Sequence, residues 1–321
     1  MKCLLVADDL TGACDAAVAF AAHGYRATVL LELDRFEAHD GVMAVSTDSR
    51  NAPGCDFACI AGAFRGTQPA IVFKKIDSTL RGNIGPEVVA AMQAFGCEAA
   101  AIAPAFPALG RIVESGRLRA MGLEDFEPID VAEYFRPHGL APYLAGDVLS
   151  DRDLDSFVAS RLAAGGRILW VGSGGLAAAL ARAVARPRGA TPRARPPSRP
   201  RGAVLFAVGS GHPVTLEQLR RLLAARPGSA VLRVPCESLK ETLAAAGSRI
   251  AALFLSGGDT AAAVCGLLGA RAIELEDEID PGVPRGRLVG GLYDGVPVVT
   301  KSGAFGPPDA LIRIAEYFTC H

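Results

Sequence analysis

Residues 252–268 read ALFLSGGDTAAAVCGLL, and this stretch decides the fold class. It opens on an apolar run with no polar alternation, the pattern of a strand covered on both faces. Ser256-Gly257-Gly258-Asp259-Thr260 follows as a turn, and a helical run continues to Leu268. Strand, glycine turn and helix make the first half of a βαβ unit. The layout recurs at 203–219, AVLFAVGSGHPVTLEQL, where Gly209-Ser210-Gly211 precedes a helix with Pro213 in its first turn. It recurs again at 296–306, VPVVTKSGAFG, where the strand runs into Lys301-Ser302-Gly303. Parallel strands deliver such turns to one sheet edge, where open α/β sheets bind ligands. Glycine lets the backbone approach an anion, and the free N–H groups of a helix N-terminus face it. One Gly-Gly is equally well a tight turn. Three such turns, each with a hydroxyl residue (Ser210, Thr260, Ser302) and one with Lys301, predict a phosphate cradle.

Outward from these turns the same rhythm fills the chain. Strands are expected at 203–208, 230–234, 251–256, 272–275 and 296–300, with helices at 213–225, 239–246, 260–268 and 308–318. On the N-terminal side, apolar runs at 3–7, 27–31, 42–46, 70–74, 99–103 and 168–171 alternate with helical patterns at 12–23, 54–65, 85–95 and 153–164. Between the two sets, residues 186–201 hold six arginines and five prolines without apolar periodicity, a solvated connector rather than a nucleic-acid arm. The expected architecture is therefore α/β with two domains, each a largely parallel sheet flanked by helices, and an active-site cleft between them. The divisions are 1–185 for the N-terminal domain, 186–201 for the linker and 202–321 for the C-terminal domain.

Composition narrows the function. The chain has 321 residues, half of them apolar, with a net charge of −1, which argues against nucleic acid as the main partner and leaves only a local basic patch open. No apolar stretch reaches the length of a membrane helix, and the first apolar run is too short for a signal peptide. The eight cysteines form no CxxC pair and no zinc spacing, so no metal site is expected and the thiols read as reduced, in a cytoplasmic protein. Alanine- and glycine-rich α/β enzymes are often dimeric, which leaves a homodimer open. There is no GxxxxGK[ST], and VGSGGLAAAL at 171–180 lacks the third glycine of a dinucleotide fingerprint; it reads as a tightly packed helix start.

The N-terminal strands end in polar clusters. Asp8-Asp9 closes the first, serving either as a grip on sugar hydroxyls or a metal, or as an acidic N-cap. Thr47-Asp48-Ser49-Arg50 closes the third, and Lys74-Lys75-Ile76-Asp77-Ser78-Thr79-Leu80-Arg81-Gly82-Asn83 closes the fourth. Arg81 and Lys75 suit a carboxylate, while Asp77, Ser78 and Asn83 suit hydroxyls. An anionic polyol fits this mixture. A phosphate cradle opposite an anionic-polyol rim predicts phosphoryl transfer across the cleft.

The motifs ADDLTGACD (7–15), TDSR (47–50), KKIDSTLRGNIGPE (74–87) and APAFPALGR (103–111) resemble the substrate domain of the four-carbon acid sugar kinases. VGSGHPVTLEQL, LSGGDTAAAV, ELEDEIDPGVPRG and VTKSGAFG resemble the nucleotide domain of the same family. The resemblance covers nearly the whole chain. It implies ATP-dependent phosphorylation of the terminal hydroxyl of threonate, erythronate or a 2-oxo-tetronate, with STLRGN closer to the threonate/erythronate branch. It implies ATP, with Mg²⁺, on Ser210, Gly257, Gly258, Asp259, Thr260 and Gly303, to which the cradle adds Lys301, and the acid sugar on Asp8, Asp9, Arg50, Lys75, Asp77 and Arg81. The stretch 112–150 is compressed relative to the family.

Asp259, Asp9 and Asp77 are the candidates for the catalytic carboxylate that takes or orients the hydroxyl proton. His212, after its glycine turn, is either a nucleotide contact or a helix-start residue. The competing functions are a non-catalytic nucleotide or sugar-acid binding protein, and a nicotinamide-dependent dehydrogenase that lacks its full fingerprint.

Overall fold

The computed structural model describes residues 1–34, 36–52, 54–123, 125–140, 142–186, 203–236, 239–246 and 250–319. Of the Arg/Pro stretch only Arg186 is among them, and it pairs with Asp40 at 2.7 Å; the rest of that expected linker lies outside the described residues.

The N-terminal part is built from β1 (Cys3–Ala7), α1 (Leu10–Ala21), β2 (Ala27–Leu30), β3 (Val42–Ser46), α2 (Phe57–Ala63), β4 (Ile71–Lys75), α3 (Ile84–Phe95) and β5 (Ala99–Ala103). A small antiparallel sheet follows, with β6 (Arg111–Glu114), β7 (Arg117–Ala120) and β8 (Ile129–Asp130). Then come α4 (Val131–Phe135), β9 (Tyr143–Leu144), α5 (Asp151–Ala164), β10 (Ile168–Gly172) and α6 (Gly174–Ala183). The C-terminal part holds β11 (Ala203–Val208), α7 (Pro213–Ala225), β12 (Ala230–Arg233), α8 (Leu239–Ala246), β13 (Ile250–Ser256) and α9 (Gly258–Leu268). It ends with β14 (Ala272–Asp280), β15 (Val283–Val289), β16 (Pro297–Lys301) and α10 (Ala310–Thr319).

The expected α/β architecture is the observed one, with an addition. Both parallel runs belong to one thirteen-stranded sheet, ordered β12-β11-β13-β16-β15-β14-β2-β3-β1-β4-β10-β5-β9. The join is the hairpin β14–β15, of which only 272–275 was expected as a strand. Ala272–Leu275 pairs antiparallel with Leu30–Ala27, while Arg285–Arg287 pairs antiparallel with Val299–Pro297. Its register shifts twice, between Leu275 and Asp277 and between Glu278 and Asp280. Such bulges bend a strand and add twist. The hairpin is tied by Arg285, forked onto Asp277 at 2.7 Å through both nitrogens, and by Arg287 on Glu276 at 2.6 Å.

Burial explains the sequence pattern. Every residue of β1 is at most 1% exposed, as its unbroken apolar run requires. Helix α1 is buried on nearly all sides, from Leu10 through Val18 and again at Phe20. It packs on the N-terminal strands, α6 and α9, and on the strands of the joining hairpin. Small residues permit that crowding: an added Cβ at Gly174 would lie 2.5 Å from the Asp15 carboxylate. The 171–180 stretch is thus a packed helix start, as read, with Ser173 capping α6 through the Gly175 N–H.

Candidate active site

The last residues of β11, β13 and β16 stand in one row, Val208 beside Ser256 and Ser256 beside Lys301. Their turns therefore emerge side by side, as the three-turn pattern requires. Gly209 N–H and Ser210 N–H both donate to Ser256 O at 3.3 Å, and Gly257 N–H donates to Lys301 O at 3.0 Å, stitching the turns together. Gly257 takes φ 102°, and α9 has no side-chain cap, so its first N–H groups are left for a ligand. On the neighbouring turn His212 caps α7: its Nδ1 accepts from Val214 N–H at 3.2 Å.

Opposite the turns lies the charged rim of the N-terminal strands. Arg50 forks onto Asp8 (Nε–Oδ2 2.9 Å, Nη2–Oδ1 2.7 Å) and reaches Asp9 Oδ2 at 2.7 Å through Nη1. Arg81 forks onto Asp77 at 3.0 and 2.7 Å, and Thr79 donates to the same carboxylate. Burial alone would raise Asp77, but the Arg81 fork and the charges of Arg50 and Arg81 outweigh it and hold the carboxyl well below the usual range. Asp8 is likewise pulled down, against its burial, by the Arg50 fork. Asp9 is the N-cap of α1, its Oδ1 accepting from Gly12 N–H at 2.7 Å and its Oδ2 from Thr11 Oγ1 at 2.9 Å.

Turns and rim face each other across a cleft of ≈470 Å³, lined among others by Asp9, Arg50, Arg81, Ser210, His212, Gly257, Gly258, Asp259, Thr260 and Gly303. The two sides come close at Gly258, where an added Cβ would sit 2.6 Å from Asp9 Oδ2. Asp259 is exposed in the cleft, and Asn51 Nδ2 reaches it at 3.5 Å.

Two expected cations stand elsewhere. Lys301 is wholly buried; its Nζ donates to Ser302 O at 2.9 Å, to Phe305 O at 3.1 Å and to Thr215 Oγ1 at 3.1 Å, and burial pulls its pKa down to about 7. It braces the 302–305 turn from beneath instead of lining the cleft. Lys75 is 4% exposed, donates to Ile76 O at 2.9 Å and lies 4.0 Å from Asp15 under the start of α1. A strand-end position does not by itself aim an ammonium outward; packing took both inward, onto carbonyls. The segment 274–286, matched as a nucleotide-domain motif, lies in the joining hairpin and contributes nothing to the cleft lining. Missed among the lining residues are Asn51, Val234, Pro235, Ala263 and Ala304. Asn51 directly follows the TDSR strand end, which was the available signal; Ala263 carried none.

Fold and site define a protein with two α/β parts, one presenting anion-binding turns and the other an arginine–carboxylate rim. Two family models match it in that order: a sugar-binding N-terminal domain over residues 3–143 and a nucleotide-binding C-terminal domain over 236–311. The chain is 30% identical to a D-threonate kinase of Bordetella bronchiseptica, covering 97% of this chain and 96% of that protein. It is 28% identical to a D-erythronate kinase of Heliobacterium modesticaldum, covering 98% and 96%. A crystal structure from Salmonella typhimurium LT2 has the same fold, with a TM-score of 0.69 at 21% identity over 99% of this chain and 100% of that one. The chain belongs to the four-carbon acid sugar kinase family. The two kinase alignments run over 393 and 431 positions against 321 residues, so the relatives carry insertions.

Proposed function

We propose that this protein transfers the terminal phosphoryl group of ATP to the terminal hydroxyl of a four-carbon sugar acid of the D-threonate or D-erythronate type. The observation that carries the reading is the contact of Gly258 with Asp9: the uncapped start of α9 and the acidic rim share one cleft. Phosphoryl transfer asks the protein mainly for positioning and charge stabilisation. The turns at Ser210, Gly257–Thr260 and Gly303 would hold the phosphates, and Asp8, Asp9, Arg50, Asp77 and Arg81 would order the acceptor. A Mg²⁺ ion arriving with the nucleotide would neutralise developing charge. Among the described residues no cluster of three or more metal-ligating side chains forms, so the ion would be held chiefly by the phosphates and water, a mode Mg²⁺ favours.

Of the three candidate bases, Asp77 has both oxygens engaged by Arg81 and Thr79, which lowers its affinity for a proton, and Asp9 is occupied by Thr11, Gly12 and Arg50. Asp259 is exposed in the cleft, and we assign it the hydroxyl proton. The described cysteines are free, four of them fully or nearly buried, as suits the reducing cytoplasm. Domain limits at 1–185 and 202–321 suit the two parallel strand sets. A binding protein without turnover and a dehydrogenase are both less favoured, because the relatives matched over nearly their whole length are kinases. Purified protein incubated with ATP and a panel of tetronate stereoisomers should form a tetronate phosphate and ADP. No product on any member, together with no ATP-induced thermal shift, would overturn the reading.

A further inference from the structure

Three arginines gather at the acceptor rim, and two of them are spent. Arg50 closes on Asp8 and Asp9, and Arg81 on Asp77. The third, Arg111, opens β6. Its backbone is pinned to Phe106 by reciprocal hydrogen bonds of 2.7 and 3.1 Å, so that the loop after β5 folds back and carries the side chain to the rim. That loop also meets the nucleotide part, with the Phe106 ring edge-on to Phe305 at 6.3 Å.

Arg111 is 6% exposed. Its Nη1 donates to Leu109 O, its Nε is buried without a hydrogen-bond partner, and it forms no carboxylate ion pair among the described residues. Burial weakens its hold on its proton; Asp77 attracts the charge and Arg81 repels it, which places the guanidinium in the same cluster. It also works against protonation of His212 on the facing turn. An unpaired buried guanidinium is costly, and an arriving anion relieves that cost. A planar fork with open donors matches a carboxylate.

We propose that Arg111 receives the carboxylate of the sugar-acid substrate; this rests on the kinase reading above. The carboxylate is favoured over the transferring phosphoryl group because Arg111 belongs to the acceptor part and is set back from the cleft lining. Arg81 and His212 line the cleft beside the phosphate turns, and Arg111 does not. The acid end of the substrate, remote from the reacting hydroxyl, is what would reach it. Neutral polyols would leave the guanidinium unpaired and be rejected.

The test compares wild type, Arg111→Lys and Arg111→Met on D-threonate or D-erythronate and on the corresponding carboxamide, with circular dichroism to confirm folding. Arg111→Met should raise the KM for the acid by roughly 100-fold and leave the KM for ATP within about threefold, the loss expected of a charge-assisted fork. Arg111→Lys, the milder variant should methionine fail to fold, should fall between. On the carboxamide, wild type and variants should agree within about threefold. Calorimetric binding of the acid to nucleotide-free protein should weaken in parallel. An unchanged acid KM and affinity would overturn the proposal. A kcat loss equal on acid and amide would also overturn it, assigning Arg111 to the phosphoryl group. A wild type that binds the acid through Arg111 but phosphorylates no tetronate would instead sink the kinase reading alone.

Discussion

At the residue scale, the cleft separates carboxylates by how completely their oxygens are engaged. Both oxygens of Asp8 are held by Arg50, and those of Asp77 by Arg81 and Thr79. Asp259 keeps free lone pairs in the cleft. Asp259→Asn should therefore lower kcat by about 10²- to 10⁴-fold, the usual worth of a general base, with the KM for ATP little changed. Turnover within a few-fold of wild type in a coupled ADP assay would remove it from that role.

Asp15 makes a different case. It is buried in α1 with Oδ1 lacking a hydrogen-bond partner and Lys75 4.0 Å away, and burial, aided by Asp9 and opposed by Lys75, raises its pKa to about 6. A raised carboxyl holds its proton in the folded state over a range where the unfolded chain has lost it. Its stabilisation is thus largely present at pH 4 and lost as pH rises through 6, amounting to roughly 2 kcal/mol between pH 4 and pH 7. Urea unfolding of wild type and Asp15→Asn at pH 4 and pH 7 should show wild type losing that much relative to the variant. Parallel profiles would refute the assignment.

At the element scale, the start of α9 is where the glycine turns come up against the acidic rim. Gly258 has no room for a side chain: its Cβ would stand 2.6 Å from Asp9 Oδ2 and 2.8 Å from Asp9 Cβ. Gly258→Ala must push the α9 turn away from the rim, and a displacement near 1 Å in a phosphoryl-transfer site costs about 10²-fold. The variant should lose about that factor in kcat/KM while melting within a few degrees of wild type. Unchanged kinetics would show that the turn and the rim need not touch. The elements themselves were largely legible, because β1, β3, β5, β11, α7 and α8 begin and end where apolar runs, glycines and prolines put them. Strand β15 was not: VPRGRLV carries a proline and two arginines, and while Val283 and Leu288 pack into the core, the arginines are accommodated only through the hairpin ion pairs.

For the whole molecule, the seam between β14 and β2 makes one sheet of two parallel sets. Separating the parts would leave β14 with bare N–H and C=O groups, an edge prone to association. A fragment of residues 203–321 expressed alone should aggregate or oligomerise on size-exclusion chromatography with light scattering, and co-expression with residues 1–186 should recover a soluble pair. A folded, monomeric C-terminal fragment would show that the seam adds nothing. The seam also constrains the cleft, because the bulged hairpin that carries the register shifts joins the two strand sets whose turns face each other.

By itself the sequence determined what is local: which runs are buried strands, which turns need glycine, and that acids and arginines cluster at strand ends. Those follow from periodicity and backbone sterics, which act over a few residues. The tertiary structure alone decided that the parts share a sheet, that Lys75 and Lys301 turn inward onto carbonyls, and that Arg111 pairs with no carboxylate among the described residues. Each of those depends on which distant groups compete for the same donors, and that competition is settled only when the chain is packed.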